Sequence, residues 1–192
     1  MKTTVRVAFP GSFDPPTIAH LAVARAAHEH LGGARVDWIV SRIALGKTRR
    51  TGPTFEERVE VLRVAAEPLS WLSVAVTEAQ FIADIAHGYD AVVIGADKWR
   101  QVIDPGWYTD AAECARMQTR LPRVLVVPRA SDDLTDLGAA GAVAGLGNRI
   151  ELLRLPDELR EVSSSAARSG ARALMLPAAL AHADRTGHWA CD

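Results

Sequence analysis

At 192 residues, with 48% apolar and 23% charged residues and a formal net charge of -1, the chain suits one globular domain. It lacks the basic excess of nucleic-acid-binding proteins, so any anion site must be local. No apolar run approaches the roughly 20 residues of a membrane span, and Cys114 and Cys191 lie far apart in a chain without a signal peptide, which fits a reducing cytoplasm.

Taken in order, Thr3 to Phe9 is rich in β-branched and aromatic residues and ends at Pro10-Gly11, which predicts a first strand. From Thr17 to Leu31 the apolar positions Ile18, Leu21, Ala22, Ala26 and Leu31 fall on a helical stripe stopped by Gly32-Gly33. Val36 to Val40 reads as a second strand, followed by a basic loop with Arg42, Lys47, Arg49 and Arg50. Thr54 with Glu57 has capping-box spacing and opens a helix that runs to about Pro68. Leu72 to Val76 is a third strand, Ala79 to His87 a short helix closed by Gly88, and Ala91 to Ala96 an apolar run typical of a strand covered on both faces. A helix over Trp107 to Gln118 and a strand over Arg123 to Val127 follow. Ser131 to Gly147, rich in Asp, Gly and Ala, reads as a loop, and its Gly141 to Gly147 piece as a linker rather than a phosphate cradle. Ile150 to Leu155 is a last strand, and a final helix spans Pro177 to Arg185, ending at Gly187. Strands alternating with helices imply an α/β fold with a doubly wound parallel sheet, whose ligand crevice lies beyond the carboxyl ends of the strands.

Two stretches sit at such positions and carry anion chemistry. Gly11 to His20, G-S-F-D-P-P-T-I-A-H, lies where the first strand hands over to a helix. A helix N-terminus presents unpaired N–H groups and a partial positive charge, Gly11 permits close approach, and His20 faces the same anion. Val162 to Arg168, V-S-S-S-A-A-R, sets the hydroxyls of Ser163, Ser164 and Ser165 at a helix start, with the planar fork of Arg168 one turn later. Asp97, after Gly95 at a strand end, is placed either to accept from a ribose hydroxyl or to cap the next helix. Asp14 is expected to fix its turn by accepting from backbone N–H groups.

The first stretch resembles the (H/T)-x-G-H signature of the nucleotidyltransferase superfamily, and the second resembles its distal I-S-S-T-x-x-R signature. Phe55 to Leu62, Gly95 to Trp99, Trp107-Tyr108, Val124 to Arg129 and the tail Leu176 to Trp189 are similar to the bacterial nicotinate-mononucleotide adenylyltransferases. The resemblance implies a single Rossmann-like nucleotidyltransferase domain over residues 1–192, with a C-terminal helical segment from about 163. It also implies transfer of AMP from ATP to the phosphate of nicotinate or nicotinamide mononucleotide, a step of NAD biosynthesis that releases pyrophosphate. His20, Thr17 and Arg168 would be the catalytic groups. ATP would be held by Gly11, Ser12, Phe13, His20, Gly95, Asp97, Ser163, Ser164, Ser165 and Arg168, and the acceptor by Lys47, Arg42, Trp107 and Tyr108. Mg²⁺ is expected as the counterion of ATP, bound through phosphates and water, and no side-chain metal site is expected. Small nucleotides are the expected partners, without nucleic acid or membrane; a homo-oligomer stays open, because exposed faces cannot be told apart in a sequence.

Two departures from the pattern bear on the acceptor. Thr17 stands where the nicotinate enzymes usually carry the first histidine, and threonine there is typical of the phosphopantetheine adenylyltransferases. Ala19 replaces the usual glycine. The alternatives are therefore another adenylyl- or cytidylyltransferase, such as a phosphopantetheine adenylyltransferase-like enzyme, or a nucleotide-binding protein with weak or lost activity.

Overall fold

Among the described residues, six strands form one all-parallel sheet: β1 (Arg6–Pro10), β2 (Arg35–Ser41), β3 (Leu72–Thr77), β4 (Ala91–Gly95), β5 (Arg123–Val127) and β6 (Ile150–Leu152). Their order is β3-β2-β1-β4-β5-β6. The computed structural model describes residues 4–43, 52–129, 132, 146 and 149–189. The winding reverses between β1 and β4, which pair through Val7 with Ala91 and Ala8 with Val92, and this is where a crevice opens beyond the strand ends.

Strand pleating divides the core in two. Val7 and Phe9, Val36, Trp38 and Val40, Val93, and Leu125 and Val127 point to one face. There they meet α1 (Ile18–His30) and α2 (Phe55–Ala66) through Val23, Ala24, Ala27, Val59 and Leu62. Ala8, Ile39, Val92, Ile94, Val124 and Val126 point to the other face. They are covered by α3 (Ile82–Ile85), α4 (Ala96–Ile103) and α5 (Ala111–Thr119). Because both faces are buried, the strands read as nearly continuous apolar runs. The chain ends with α6 (Asp157–Arg160), α7 (Ser164–Arg168), a 3₁₀ turn at Arg172–Leu174, and α8 (Pro177–Thr186). The last of these packs on the outer side of α2 through Val61, Ala179, Ala183 and Trp189.

The capping box expected at Thr54 is present: Thr54 Oγ1 accepts from the Glu57 N–H at 3.2 Å, and Glu57 Oε2 accepts from the Thr54 N–H at 2.7 Å. Several boundaries differ from expectation. The run Ala91 to Ala96 stops as a strand at Gly95, and α4, which periodicity did not reveal, begins at once with Ala96. Its buried residues Ala96, Trp99 and Val102 form a narrow stripe among polar neighbours, too short to stand out in sequence. The helix expected over Trp107 to Gln118 is divided. A 3₁₀ turn at Pro105–Trp107 is capped by Asp104, and α5 starts only at Ala111, where Asp110 accepts from the Glu113 N–H. The helix expected over Ala79 to His87 shrinks to Ile82–Ile85. The last strand ends at Leu152 rather than Leu155: the Leu153 N–H still donates to Val126 O at 2.9 Å, and Leu155 lines the crevice. Arg49, Arg50 and the Gly141 to Gly147 linker, apart from Leu146, lie outside the described residues. Among the described residues no helix is long and apolar enough to cross a membrane.

Trp38 is fully buried, and its indole N–H has no hydrogen-bond partner. Trp38→Ala should cost about 3 to 5 kcal/mol in urea unfolding. Trp38→Phe should cost distinctly less, since it keeps most of the ring and removes the unsatisfied donor.

Candidate active site

The crevice at the switch point is a cleft of about 590 Å³, a size suited to a nucleotide-sized ligand. Gly11, Ser12, Asp14, Thr17 and His20 line it, together with Gly95 and Asp97 and with Ser163, Ser164, Ser165 and Arg168. The two signature stretches, about 150 residues apart in sequence, therefore border one space.

The loop between β1 and α1 is built around Phe13, which is fully buried with a left-handed φ of 45°. Its ring packs edge-on against Phe9 at 5.5 Å and close to His20 at 5.0 Å. A Cβ on Gly11 would lie 2.8 Å from that ring, so glycine is required there by the loop's own packing as well as by proximity to the cleft. The segment is proline-rich and its carbonyls lack regular partners, so distant residues supply them. Arg58 of α2 donates to Ser12 O at 2.9 Å, Arg168 to Asp14 O, Ser164 Oγ to Pro15 O at 2.8 Å, and Leu176 N to Pro16 O at 3.1 Å. The Asp14 carboxylate accepts from the Trp189 indole N–H at 2.6 Å. It thus anchors the C-terminal tail instead of bonding the backbone N–H groups of its own turn, as the sequence had suggested.

Thr17 is the N-cap of α1 and is fully buried. Its N–H donates to His20 Nδ1 at 2.9 Å, and its hydroxyl lies 2.9 Å from the same nitrogen. A backbone N–H is only a donor, so Nδ1 is an acceptor and the ring proton sits on Nε2, the edge left for the cleft. Thr17 therefore orients His20, and its hydroxyl is turned to the imidazole. Packing against Phe9 and Phe13 desolvates the ring and lowers its pKa to about 4. His20 is consequently a neutral N–H donor at pH 7.

In the second stretch, Ser163 caps α7 by accepting from the Ala166 N–H at 3.1 Å, and Arg168 also bonds Ser165 Oγ at 3.1 Å. Gly95 is the N-cap of α4, and Asp97 in its first turn pairs with Arg129 at 2.8 Å and Arg100 at 3.5 Å. Sequence reasoning passed over Ser41, Gln80, Lys98, Gln101, Arg129 and Arg160, all of which line the cleft. The signal for Arg129 was available: it follows the carboxyl end of β5, as Gly95 ends β4. Arg160 could not be read this way, because it arrives on α6 and reaches the site by donating to Arg129 O at 2.7 Å.

Of the residues expected to hold the acceptor, the described ones, Arg42, Trp107 and Tyr108, do not line the cleft. Tyr108 stacks on Phe81 at 5.3 Å and donates to Val102 O at 2.9 Å; burial pushes its pKa up to about 12. Trp107 is 37% exposed, and neither aromatic lines the cleft, because the 3₁₀ turn carries both away from it. Arg42 lies over the Phe55 ring and pairs with Glu56 at 2.8 Å and Glu78 at 3.4 Å, outside the cleft that its neighbours Ser41 and Ile43 line. Lys47 lies outside the described residues.

The fold and the cleft define a Rossmann-like α/β protein whose switch-point crevice is lined with donors and cations suited to phosphate groups. The chain belongs to the cytidylyltransferase-like family, whose model matches residues 8–170, and so to the nucleotidyltransferase superfamily. It is similar to the phosphopantetheine adenylyltransferases of two Desulfitobacterium hafniense strains, each 34% identical over 66 residues. That match spans 34% of this chain and 37% of the length of those relatives. In structure it is similar to Plasmodium falciparum nicotinic acid mononucleotide adenylyltransferase complexed with NaAD (TM-score 0.71, 14% identity) and with APC (TM-score 0.70, 13% identity). Each likeness covers 97% of this chain and 98% of the other. At that identity it establishes the shared fold.

Two outcomes follow from this geometry. Because the His20 pKa is lowered from 6.5 to about 4 on folding, the unfolded chain holds the extra proton between those values, and stability falls as pH drops through that window. His20→Gln should lose less stability than the parent between pH 7 and pH 5 in urea titrations. Trp189→Phe removes the donor to Asp14 and should lower stability by about 1.5 to 3 kcal/mol, the range for a hydrogen bond to a charged group, measured by denaturant unfolding.

Proposed function

We propose that the chain transfers the adenylyl group of ATP to the phosphate of nicotinate mononucleotide, or of its nicotinamide counterpart, and releases pyrophosphate. The observation that carries this reading is the bipartite lining of the cleft: His20 at the start of α1 and Ser163 to Arg168 at α7 border the same space, and Ser164 and Arg168 are bonded directly to the loop before α1. A triphosphate would lie along this lining, with its tail on the Ser163 and Ser165 hydroxyls, whose oxygens only accept within the fold, and on Arg168, and with an inner phosphate on the Nε2–H of His20. The whole-chain likeness to a mononucleotide adenylyltransferase structure agrees with this choice of acceptor.

In such a transfer a phosphate oxygen of the acceptor attacks the α-phosphorus in line. The new P–O bond forms as the bond to the β-phosphate oxygen breaks, and the electron pair leaves with pyrophosphate. The nucleophile is already ionised, so no general base is required, in keeping with a His20 that is neutral and bonded through Nδ1 to the N-cap. Catalysis then rests on alignment and on donors aimed at the charge that builds on the α-phosphate and leaving group. Asp14 and Asp97, the carboxylates lining the cleft among the described residues, already bond Trp189 and Arg129. They offer Mg²⁺ no carboxylate cage, so the ion would come with ATP, held by phosphates and water, and would neutralise charge on the triphosphate.

Thr17 and the partial match to phosphopantetheine adenylyltransferases favour one second reading, in which the same adenylyl transfer goes to a phosphorylated pantetheine. Incubation with ATP and Mg²⁺ and each acceptor in turn separates the two by pyrophosphate release. Release with a pyridine mononucleotide supports the first, release with phosphopantetheine alone supports the second, and silence with every acceptor sinks both. In the active pairing, His20→Ala should lower kcat by about 100- to 1,000-fold, the effect of losing one preorganised donor, with the circular dichroism spectrum unchanged.

A further inference from the structure

Behind the phosphate cleft, a cluster formed by Val61, Ala167, Met175, Ala179, Ala183 and Trp189 holds α8 to α2. At its edge three side chains of metal-ligand type converge: Glu57 in the first turn of α2, His182 in α8, and His188 just past the helix end. One donor atom from each lies within 4.8 Å of the other two. Glu57 Oε1 is 3.9 Å from His182 Nε2 and 4.0 Å from His188 Nδ1, too far for hydrogen bonds. Both of those nitrogens are buried without a hydrogen-bond partner, and His182 as a residue is only 4% exposed. A folded protein rarely leaves two such nitrogens facing one carboxylate oxygen unsatisfied.

The surroundings orient the three groups. Glu57 Oε2 is occupied by the Thr54 N–H of the capping box, which turns Oε1 toward the histidines. Gly187, with a φ of 75°, ends α8 in the left-handed conformation and folds His188 back over the helix end toward Glu57. We propose that Glu57, His182 and His188 bind a divalent ion of the zinc class, with water completing its shell. Two imidazoles and a carboxylate match Zn²⁺, whereas Mg²⁺ and Ca²⁺ prefer all-oxygen shells. Tetrahedral zinc with bonds of about 2.0 to 2.1 Å sets its donors about 3.4 Å apart, so the three side chains draw together by about half an ångström or more on binding. Ligation through His182 Nε2 moves the ring proton to Nδ1, and the exposed Arg185 guanidinium, now 3.2 Å from Nδ1, swings away. The site departs from the sequence expectation of no side-chain metal site, because its ligands come from two helices far apart in the chain. It also adjoins Trp189, whose indole holds Asp14 of the phosphate loop, so the ion pins the tail that supports the cleft.

The test uses chelator-treated full-length protein titrated with Zn²⁺ alone against a chromophoric competitor, with thermal unfolding and X-ray absorption as further readouts. The expected result is one equivalent bound, a raised Tm, and a metal shell of nitrogen and oxygen only. His188→Ala, which alters a partly exposed residue beyond the helix and should fold, is expected to weaken binding by about tenfold or more and to abolish the Tm rise. Equal zinc uptake by parent and His188→Ala, no uptake by the folded parent, or a sulfur neighbour in the metal shell each overturns the proposal. None of these readouts depends on the reaction the cleft performs.

Discussion

The structure turns on the backbone carbonyls of the loop between β1 and α1. Residues 12 to 16 include two prolines and run outside any strand or helix, so their carbonyls must find donors elsewhere or remain unsatisfied beside a buried Phe13. Arg58, Arg168, Ser164 and the Leu176 N–H supply those donors from three separate parts of the chain. The hydrogen bonds that complete the loop are the same ones that bring the C-terminal segment against the crevice. Loop shape and site assembly are therefore one problem with one solution.

This arrangement also explains the division of labour in the cleft. Groups bonded to the loop, Arg168 and Ser164 among them, are held with little freedom. His20 is held in the same way by Thr17 and is kept neutral by the aromatic rings around it. Asp97 and Arg129 differ: they line the cleft and join Arg100 and Asp132 in a charged network beyond the ends of β4 and β5. Such pairs can exchange partners when an anionic ligand enters, whereas the loop cannot rearrange without stranding its carbonyls.

Much of the sheet was legible because its strands are covered on both faces and so appear as apolar runs bounded by turn residues. The capping box at Thr54 and the glycine end of α8 were legible because each is a local hydrogen-bonding solution written in a few adjacent residues. Helix α4 was not, since it spans only eight residues and starts directly where the apolar run of β4 ends, with no loop between them. Trp107 and Tyr108 misled for a related reason: an aromatic pair looks the same in sequence whether it faces a ligand or the core, and here Phe81 takes the Tyr108 ring. Arg160 and the Glu57, His182 and His188 cluster were illegible because their partners lie on other elements.

By itself the sequence determined the parallel α/β class and the place of every strand, because these rest on local periodicity and turn chemistry. Only the tertiary structure decided that His20 is a neutral Nε2–H donor, that Gly11 is required by the Phe13 ring, and that Asp14 serves the C-terminal tail. Each of those depends on which atoms desolvate or satisfy a group from a distance, and a linear pattern carries no record of such contacts.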